Sequence, residues 1–329
     1  MTLSATKHLE SMNSCLLGYT GFVGNTLRQQ HSFSHLFNRS NIESISDCGH
    51  LDLAVCAAAP GSMFQANRHP DEDRQNLNNL KAQLSTLKVD TFILISSIAV
   101  LGAYASGLDE KTDQFETDTP YGAHRRDLEE FCQDQFNNTL VARLPALFGP
   151  GLKKNFIFDV LNPVPSMLTS QRLCELPSNT QRSVNGELAS FYHQSAGDMF
   201  TLDRDRFNSS PQRDELEAQI LDAEFDAVRF HNPSSTYQYY NMARLWSDIT
   251  RSEQAELSHI HLATEPLELG RIHKTVTGAD MPGSTAAVHH EDMRTSHADL
   301  WGQSGTYIDN ADSVLHDITQ FCITEQGQS

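Results

Sequence analysis

The stretch "LLGYTGFVGNTL", Leu16 to Leu27, carries three glycines at three-residue spacing, Gly18, Gly21 and Gly24, directly after an apolar run. Between a strand and a helix, such glycines let a backbone wrap a pyrophosphate. Gly18 permits the tight turn, Gly21 lets the main chain approach the phosphates, and Gly24 lets the helix pack on the strand. Amide N–H groups at the helix start then face the anion, with Thr20, Phe22 and Val23 in the same loop. NAD-specific sites place an acid about 20 residues after the first glycine, for the ribose 2′-hydroxyl. Here the sequence reads "LFNRSN" instead, so Asn38, Arg39 and Ser40 offer a guanidinium flanked by two small hydrogen-bonding groups. That set suits a 2′-phosphate, and the expected cofactor is NADP in preference to NAD.

A second reactive group lies in "DTPYGAHRRDLEEF". Thr119 suits an N-cap and Pro120 a first helical turn, and Tyr121 and Arg125 then share one helical face, with Leu128 and Cys132 continuing the stripe. A phenol of pKa about 10 is a poor base at neutral pH until a nearby cation favours its phenolate. Arg125 keeps that charge and can donate two hydrogen bonds to ribose hydroxyls, but a guanidinium cannot deprotonate and so relays no proton. Among 15 histidines, His259 and His261 lie two apart on a predicted strand and His289, His290 and Glu291 are consecutive. Neither cluster completes a set of three or more ligands, and no metal is expected.

The elements that must position these residues are those of an α/β fold. "CLLG", "SHLFN", "LDLAVCAA", "DTFILISS" and "TLVARLPA" read as strands, alternating with helical stretches "GNTLRQQHSF" and "RQNLNNLKAQLSTLK". In the second helix Leu77, Leu80, Leu84 and Leu87 line one face. The pattern predicts a doubly wound parallel sheet of Rossmann type. After "LFGPG" the texture changes, and residues 166–235 read as a polar, partly irregular insertion with one amphipathic helix in "RDELEAQILDAEFDAVRF". "YQYYNMARLWSDI" then reads as a helix, "LSHIHLAT" as a strand and "NADSVLHDITQFCI" as a last helix. The expected division is a dinucleotide-binding domain over 12–151, with parts of 236–264 returning to it. A smaller C-terminal substrate lobe takes 152–235 and 265–329, with Gln238 or Tyr239 at the junction.

Composition excludes some partners. With 42 acidic against 24 basic side chains the formal charge is −18, which repels nucleic acid and anionic membrane surfaces. Six cysteines show no C-x-x-C spacing, and no stretch approaches the roughly 20 apolar residues of a membrane span or a signal-peptide core. A cytoplasmic protein is expected.

"GYTGFVG", "FILISSIAVLG", "DTPYGAHRR" and "VARLPALFGPG" together resemble the extended short-chain dehydrogenase/reductase superfamily, in its NAD(P)-dependent epimerase/dehydratase branch. The resemblance covers about 12–151 well, the stretch from "YQYYNMARLW" to "HLATEPLELG" loosely, and the insertion not at all. It implies that Tyr121 is the general acid/base and that Ser97, 24 residues earlier and next to Ser96, orients a substrate hydroxyl or carbonyl. It also implies that the small residues Ala57, Ala58 and Ala59 of "CAAAP" lie against the cofactor, with Leu144 and Pro145 near the nicotinamide. The family's lysine four residues after the tyrosine is Arg125 here. The implied substrate is a nucleotide sugar, used for epimerisation or reduction, in a homodimer. Dehydration is least favoured, because "SIAVLGAY" holds no carboxylate. The rival reading is a dinucleotide-binding sensor or scaffold that has lost turnover.

Overall fold

The computed structural model describes residues 12–102, 105–176 and 184–328, so most of the N-terminal stretch scanned for a signal lies outside the described residues. The chain forms two compact units, one of residues 1–151, 237–266 and 290–317, the other of 152–236, 267–289 and 318–329.

The first unit is built on six parallel strands: β1 (Ser14–Leu17), β2 (His35–Phe37), β3 (His50–Cys56), β4 (Lys88–Ser97), β5 (Thr139–Leu144) and β6 (His259–His261). Their spatial order is β6-β5-β4-β3-β1-β2, so the winding reverses between β1 and β3. Alternate residues feed two cores, as a sheet covered on both faces requires. On one face Leu17, Ala54, Cys56, Phe92 and Leu94 pack with Leu77, Leu80 and Leu84 of α2 (Pro70–Leu84) and Leu128 and Cys132 of α3 (Pro120–Gln135). On the other, Leu16, Val55, Ile93 and Ala142 pack with Leu27 of α1 (Phe22–Gln30) and with Leu245 and Ile249 of α4 (Leu245–Gln254). Leu87, expected on the α2 stripe, is buried but lies past the helix end, in the turn into β4.

Two expected helices are corrected. The 237–249 stretch is a strand over Tyr239–Asn241, parallel to Ala146–Phe148, then a 3-10 turn over Met242–Arg244, and only then α4. Two features prevent an earlier helix start. Gln238 is fully buried with its side chain bonded to the Thr264 and Met293 backbones, and Asn241 Oδ1 accepts from Ala243 N at 3.0 Å. The helix expected over 213–230 ends at Asp222, where Glu224 takes φ +55° and Phe225 N bonds Ile220 O.

The second unit also corrects the sequence reading. Its strands Met167–Thr169, Tyr192–Ala196 and Met199–Leu202 form an antiparallel sheet within the segment read as irregular. Its core gathers Leu168, Leu188, Phe191, Leu202, Phe207, Leu216 and Ile220. The hairpin turn at Gly197, φ +56°, inside "YHQSAGDMFTL", was the available signal. Among the described residues no helix is long and apolar enough to cross a membrane.

Candidate active site

In an open parallel sheet, ligands bind outside the carboxyl ends of the strands where the winding reverses. The chain leaves β1 at Gly18 and β3 at Ala57, the two strands flanking that point. Gly18 takes φ +86°, its N–H donates to Phe37 O at 2.7 Å, and a Cβ there would lie 2.4 Å from Ala57 O. A Cβ on Gly24 would lie 2.1 Å from Gly18 O. Both glycines are therefore fixed by backbone packing. Gly21 differs, since a Cβ there would meet only Gly18 O, at 3.5 Å. It is the N-cap of α1, no side chain caps it, and the first turn carries no acid. Those are the terms on which a helix start accepts a phosphate, and the loop fits a dinucleotide. Ala57, Ala58 and Ala59 are half-buried beside it.

After β2, Asn38 Oδ1 accepts from Ser40 N at 2.9 Å and Ser40 Oγ at 2.7 Å, and Asn38 Nδ2 donates to Tyr19 Oη at 3.1 Å. Asn38 and Ser40 thus close a turn on each other, and Arg39 is exposed at its tip. The Arg28 guanidinium lies 5.6 Å from the centroid of the Tyr19 ring, a cation beside this turn that sequence reading missed.

At the end of β4 the two serines separate. Ser96, buried, donates to Glu129 Oε1 at 2.6 Å, whereas Ser97, half-buried, accepts from Ala99 N at 3.2 Å and opens a 3-10 turn. Ser97 is in register with Leu144 of β5. The helix α3 is pressed onto this strand end by Gly122, where a Cβ would lie 2.1 Å from Ala99 O. Tyr121, one residue earlier, donates its N–H to Asn67 Oδ1 at 2.9 Å. Gly122 was legible in principle, because a glycine inside a helix signals close backbone approach.

Arg125 departs most from expectation. It is 3 % exposed, and Nη1 and Nη2 donate to Asp73 Oδ2 and Oδ1 at 2.5 and 2.8 Å. Nη2 also donates to Pro60 O at 2.5 Å and Nη1 to Tyr121 O at 3.5 Å. All four Nη hydrogens are thus committed, and Nε is buried without a partner. The two ribose hydrogen bonds expected of Arg125 are not available from these atoms. The guanidinium instead faces the Tyr121 ring, with Cζ 4.0 Å from its centroid. Asp73, itself 5 % exposed, also holds His124 Nδ1 at 2.8 Å. Burial alone would raise the Asp73 carboxyl, but hydrogen bonds from Arg125 and His124 and the Arg125 charge bring it below its ordinary range.

Behind the serines lies a second buried network. Glu129 accepts from Ser96, Arg126 and, twice, Arg143, at 2.6 to 3.0 Å. Despite burial these donors hold its carboxyl below the ordinary range. Arg143 Nη1 lies 3.0 Å from His261 Nε2, and His261 Nδ1 lies 2.8 Å from Arg294 O, the pattern of a neutral imidazole with its proton on Nδ1. Burial pushes His261 down to about 4, the Arg143 charge adding to this against Glu110. Among the described residues no group of three or more His, Cys, Asp or Glu is placed to hold a metal.

Residues 30–171 match the family model described as NAD dependent epimerase/dehydratase family, a match that begins just past the glycine loop. No curated protein matches the chain. Among solved structures it is similar to UDP-N-acetylglucosamine 4-epimerase from Methanobrevibacter ruminantium M1 in complex with UDP-N-acetylmuramic acid: 12 % identity, TM-score 0.61, 97 % of this chain and 99 % of that one covered. It is also similar to dTDP-4-dehydrorhamnose reductase from Bacillus anthracis str. Ames in complex with NADP: 14 % identity, TM-score 0.59, coverage 95 % and 98 %. A third is RMD from Pseudomonas aeruginosa complexed with NADPH: 15 % identity, TM-score 0.57, coverage 94 % and 99 %. The chain thus has the fold of these nucleotide-sugar epimerases and reductases, and its residues 30–171 are similar to the NAD dependent epimerase/dehydratase family.

Proposed function

We propose that the protein is an NAD(P)-dependent oxidoreductase or epimerase acting on a nucleotide-sugar-like substrate, with Gly18 to Gly24 holding the pyrophosphate. Tyr121 is its acid/base and Ser97 the group that orients the reacting oxygen. The observation that carries this reading is the convergence at the carboxyl ends of adjacent strands: an uncapped helix start with open space at Gly21, the turn at Gly18 packed on Ala57, and the end of β4 onto which Gly122 presses the tyrosine helix. When bound, the dinucleotide supplies hydride transfer at its nicotinamide ring. The chain's own part is to seat the phosphates on the amides of the first turn of α1. Tyr121 then holds or gives a proton at its hydroxyl, and Ser97 fixes the partner oxygen. Relatives of the same fold carry NADP, NADPH or a UDP-linked sugar acid, which supports the cofactor and substrate classes. Arg39, exposed at the tip of its turn with no acid nearby in "LFNRSN", supports NADP over NAD. Six cysteines, none paired, suit a reducing cytoplasm.

Thermal protection tests the assignment. NADP, alone and with UDP- or dTDP-linked hexoses, should raise Tm, and NAD should do so less. No protection by either dinucleotide would remove the reading. One observation favours the second reading, a dinucleotide-binding protein without turnover: the commitment of all four Arg125 Nη hydrogens inside the protein. Tight NADP binding with no turnover of any nucleotide sugar would decide for it.

A further inference from the structure

The charge beside Tyr121 is set not by Arg125 alone but by the carboxylate it binds. Asp73 comes from the first turn of α2 and reaches Arg125, one helical turn past Tyr121 on α3, with two hydrogen bonds at 2.5 and 2.8 Å. Both side chains are buried, so the pair is screened little by water. A bidentate pair of this geometry cancels most of the charge that Arg125 would otherwise present to the Tyr121 ring 4.0 Å away. The other titratable groups packed around the tyrosine do not replace that charge. His124 is bound to the same Asp73 oxygen as Arg125. Glu116, in the loop before α3, is a carboxyl group and not a cation; its Oε1 accepts from Asp118 N and Thr119 N and its side chain packs on Gly122. From the short helix Met63–Arg68, Asn67 is neutral and Arg68 stacks on Phe64.

We propose that Asp73 is a positioning residue: it fixes Arg125 against the Tyr121 ring and compensates its charge, so that Tyr121 acts as a proton donor and the site is set to reduce a carbonyl rather than to oxidise an alcohol. The proposal rests on the assignment of Tyr121 as acid/base, and it deepens that assignment by naming a carbonyl compound, such as a keto-sugar nucleotide, as substrate. In the step, a hydride from a reduced nicotinamide dinucleotide adds to the carbonyl carbon, whose C=O π bond breaks. The Tyr121 O–H bond breaks and its proton goes to the carbonyl oxygen. The products are an alcohol, the oxidised dinucleotide and a phenolate that regains its proton from water. Oxidation in the reverse sense needs the phenolate first, which a compensated arginine favours little.

The test reads Tyr121 itself and needs neither cofactor nor substrate. Tyrosinate absorbance is titrated in each protein and in the same protein carrying Tyr121→Phe, and the difference isolates this phenol. Asp73→Asn leaves Arg125 uncompensated and should move the Tyr121 midpoint down by about one pH unit or more. The double variant Asp73→Asn/Arg125→Met replaces the ion pair by a neutral pair, a change buried pairs often tolerate, and should leave the midpoint within about 0.3 pH of the wild type. An unmoved midpoint in Asp73→Asn overturns the proposal. So does a double variant whose midpoint rises by a unit or more, since the arginine's charge was then felt in the native protein. Should Asp73→Asn fail to fold, the double variant decides alone. If no nucleotide sugar turns over in any variant, the enzymatic reading fails while the titration still settles the role of Asp73.

Discussion

The glycine loop and the tyrosine helix stand at the carboxyl ends of the same sheet but are made of different material. The loop is backbone throughout: Gly18 against Ala57 O, Gly24 against Gly18 O, and an uncapped helix start at Gly21. Its parts all lie within ten residues except for the contacts of Gly18 with Phe37 O and Ala57 O, and its chemistry depends on what side chains are absent. The tyrosine helix is assembled from side chains far apart in sequence, with Arg125 meeting Asp73 from 52 residues away and Pro60 from 65. A backbone site tolerates no added atom where it is packed and accepts them where it is open. A side-chain site answers instead to charge.

The largest effects are expected within the loop. Gly24→Val should cost several kcal/mol and leave little folded protein, because its Cβ meets backbone rather than a flexible side chain. Gly21→Val should melt near the wild-type temperature yet lose dinucleotide binding, because its side chain fills the phosphate's space. Unchanged calorimetric affinity for NADP in Gly21→Val would falsify the cradle. On the helix side, Tyr121→Phe should lower turnover by roughly 10²- to 10⁴-fold with little change in dinucleotide affinity, since proton transfer is lost and packing is kept. Ser97→Ala should lower turnover as well, and full activity in both variants would reassign the site.

A smaller effect separates charge from shape at the loop's far end. Arg39→Ala should weaken NADP by roughly 1.5–3 kcal/mol and leave NAD unaffected, and in the wild type the preference for NADP should fade as salt rises. An Arg39→Ala protein that still prefers NADP would show that the 2′-phosphate is read elsewhere, Arg28 beside Tyr19 being a second cation at this turn.

The smallest effect concerns the buried network behind Ser96. His261 is neutral in the fold, with its pKa lowered to about 4, whereas an unfolded histidine titrates near 6.5. The unfolded chain therefore binds the extra proton first, and the stability that depends on neutral His261 is lost as pH falls from about 6.5 towards 4. Asp73 and Glu129, held below the ordinary carboxylate range, keep their contributions until pH falls further. Tm should drop by a few degrees across that window, and the drop should be smaller in His261→Gln. An equal drop in both proteins would assign it to other groups.

How much of this was legible follows from the same contrast. The alternation of strands and helices, the two faces of the sheet and the glycine spacing are local patterns. The apolar periodicities that produced them hold for β1 to β5 and for α1 to α3, within a few residues at their ends. The reading failed where tertiary contacts outweigh local pattern. At 237–249 the buried Gln238 draws the chain into a strand that its helical spacing concealed. In the second unit a hairpin at Gly197 lies among residues too polar to signal a sheet.

The doubly wound sheet, the glycine turn at Gly18 to Gly24 and the placing of a tyrosine with a cation one turn on were legible in the sequence, because each depends on residues close together along the chain. What that cation does is set by tertiary packing. Nothing near Arg125 in sequence marks Asp73 as its partner, and the acid reads in its own context as an ordinary first-turn residue of α2. Folding brings the two helices together over the same face of the sheet, and burial then leaves the arginine little water to bind, so its four Nη hydrogens go to Asp73, Pro60 and the backbone of Tyr121.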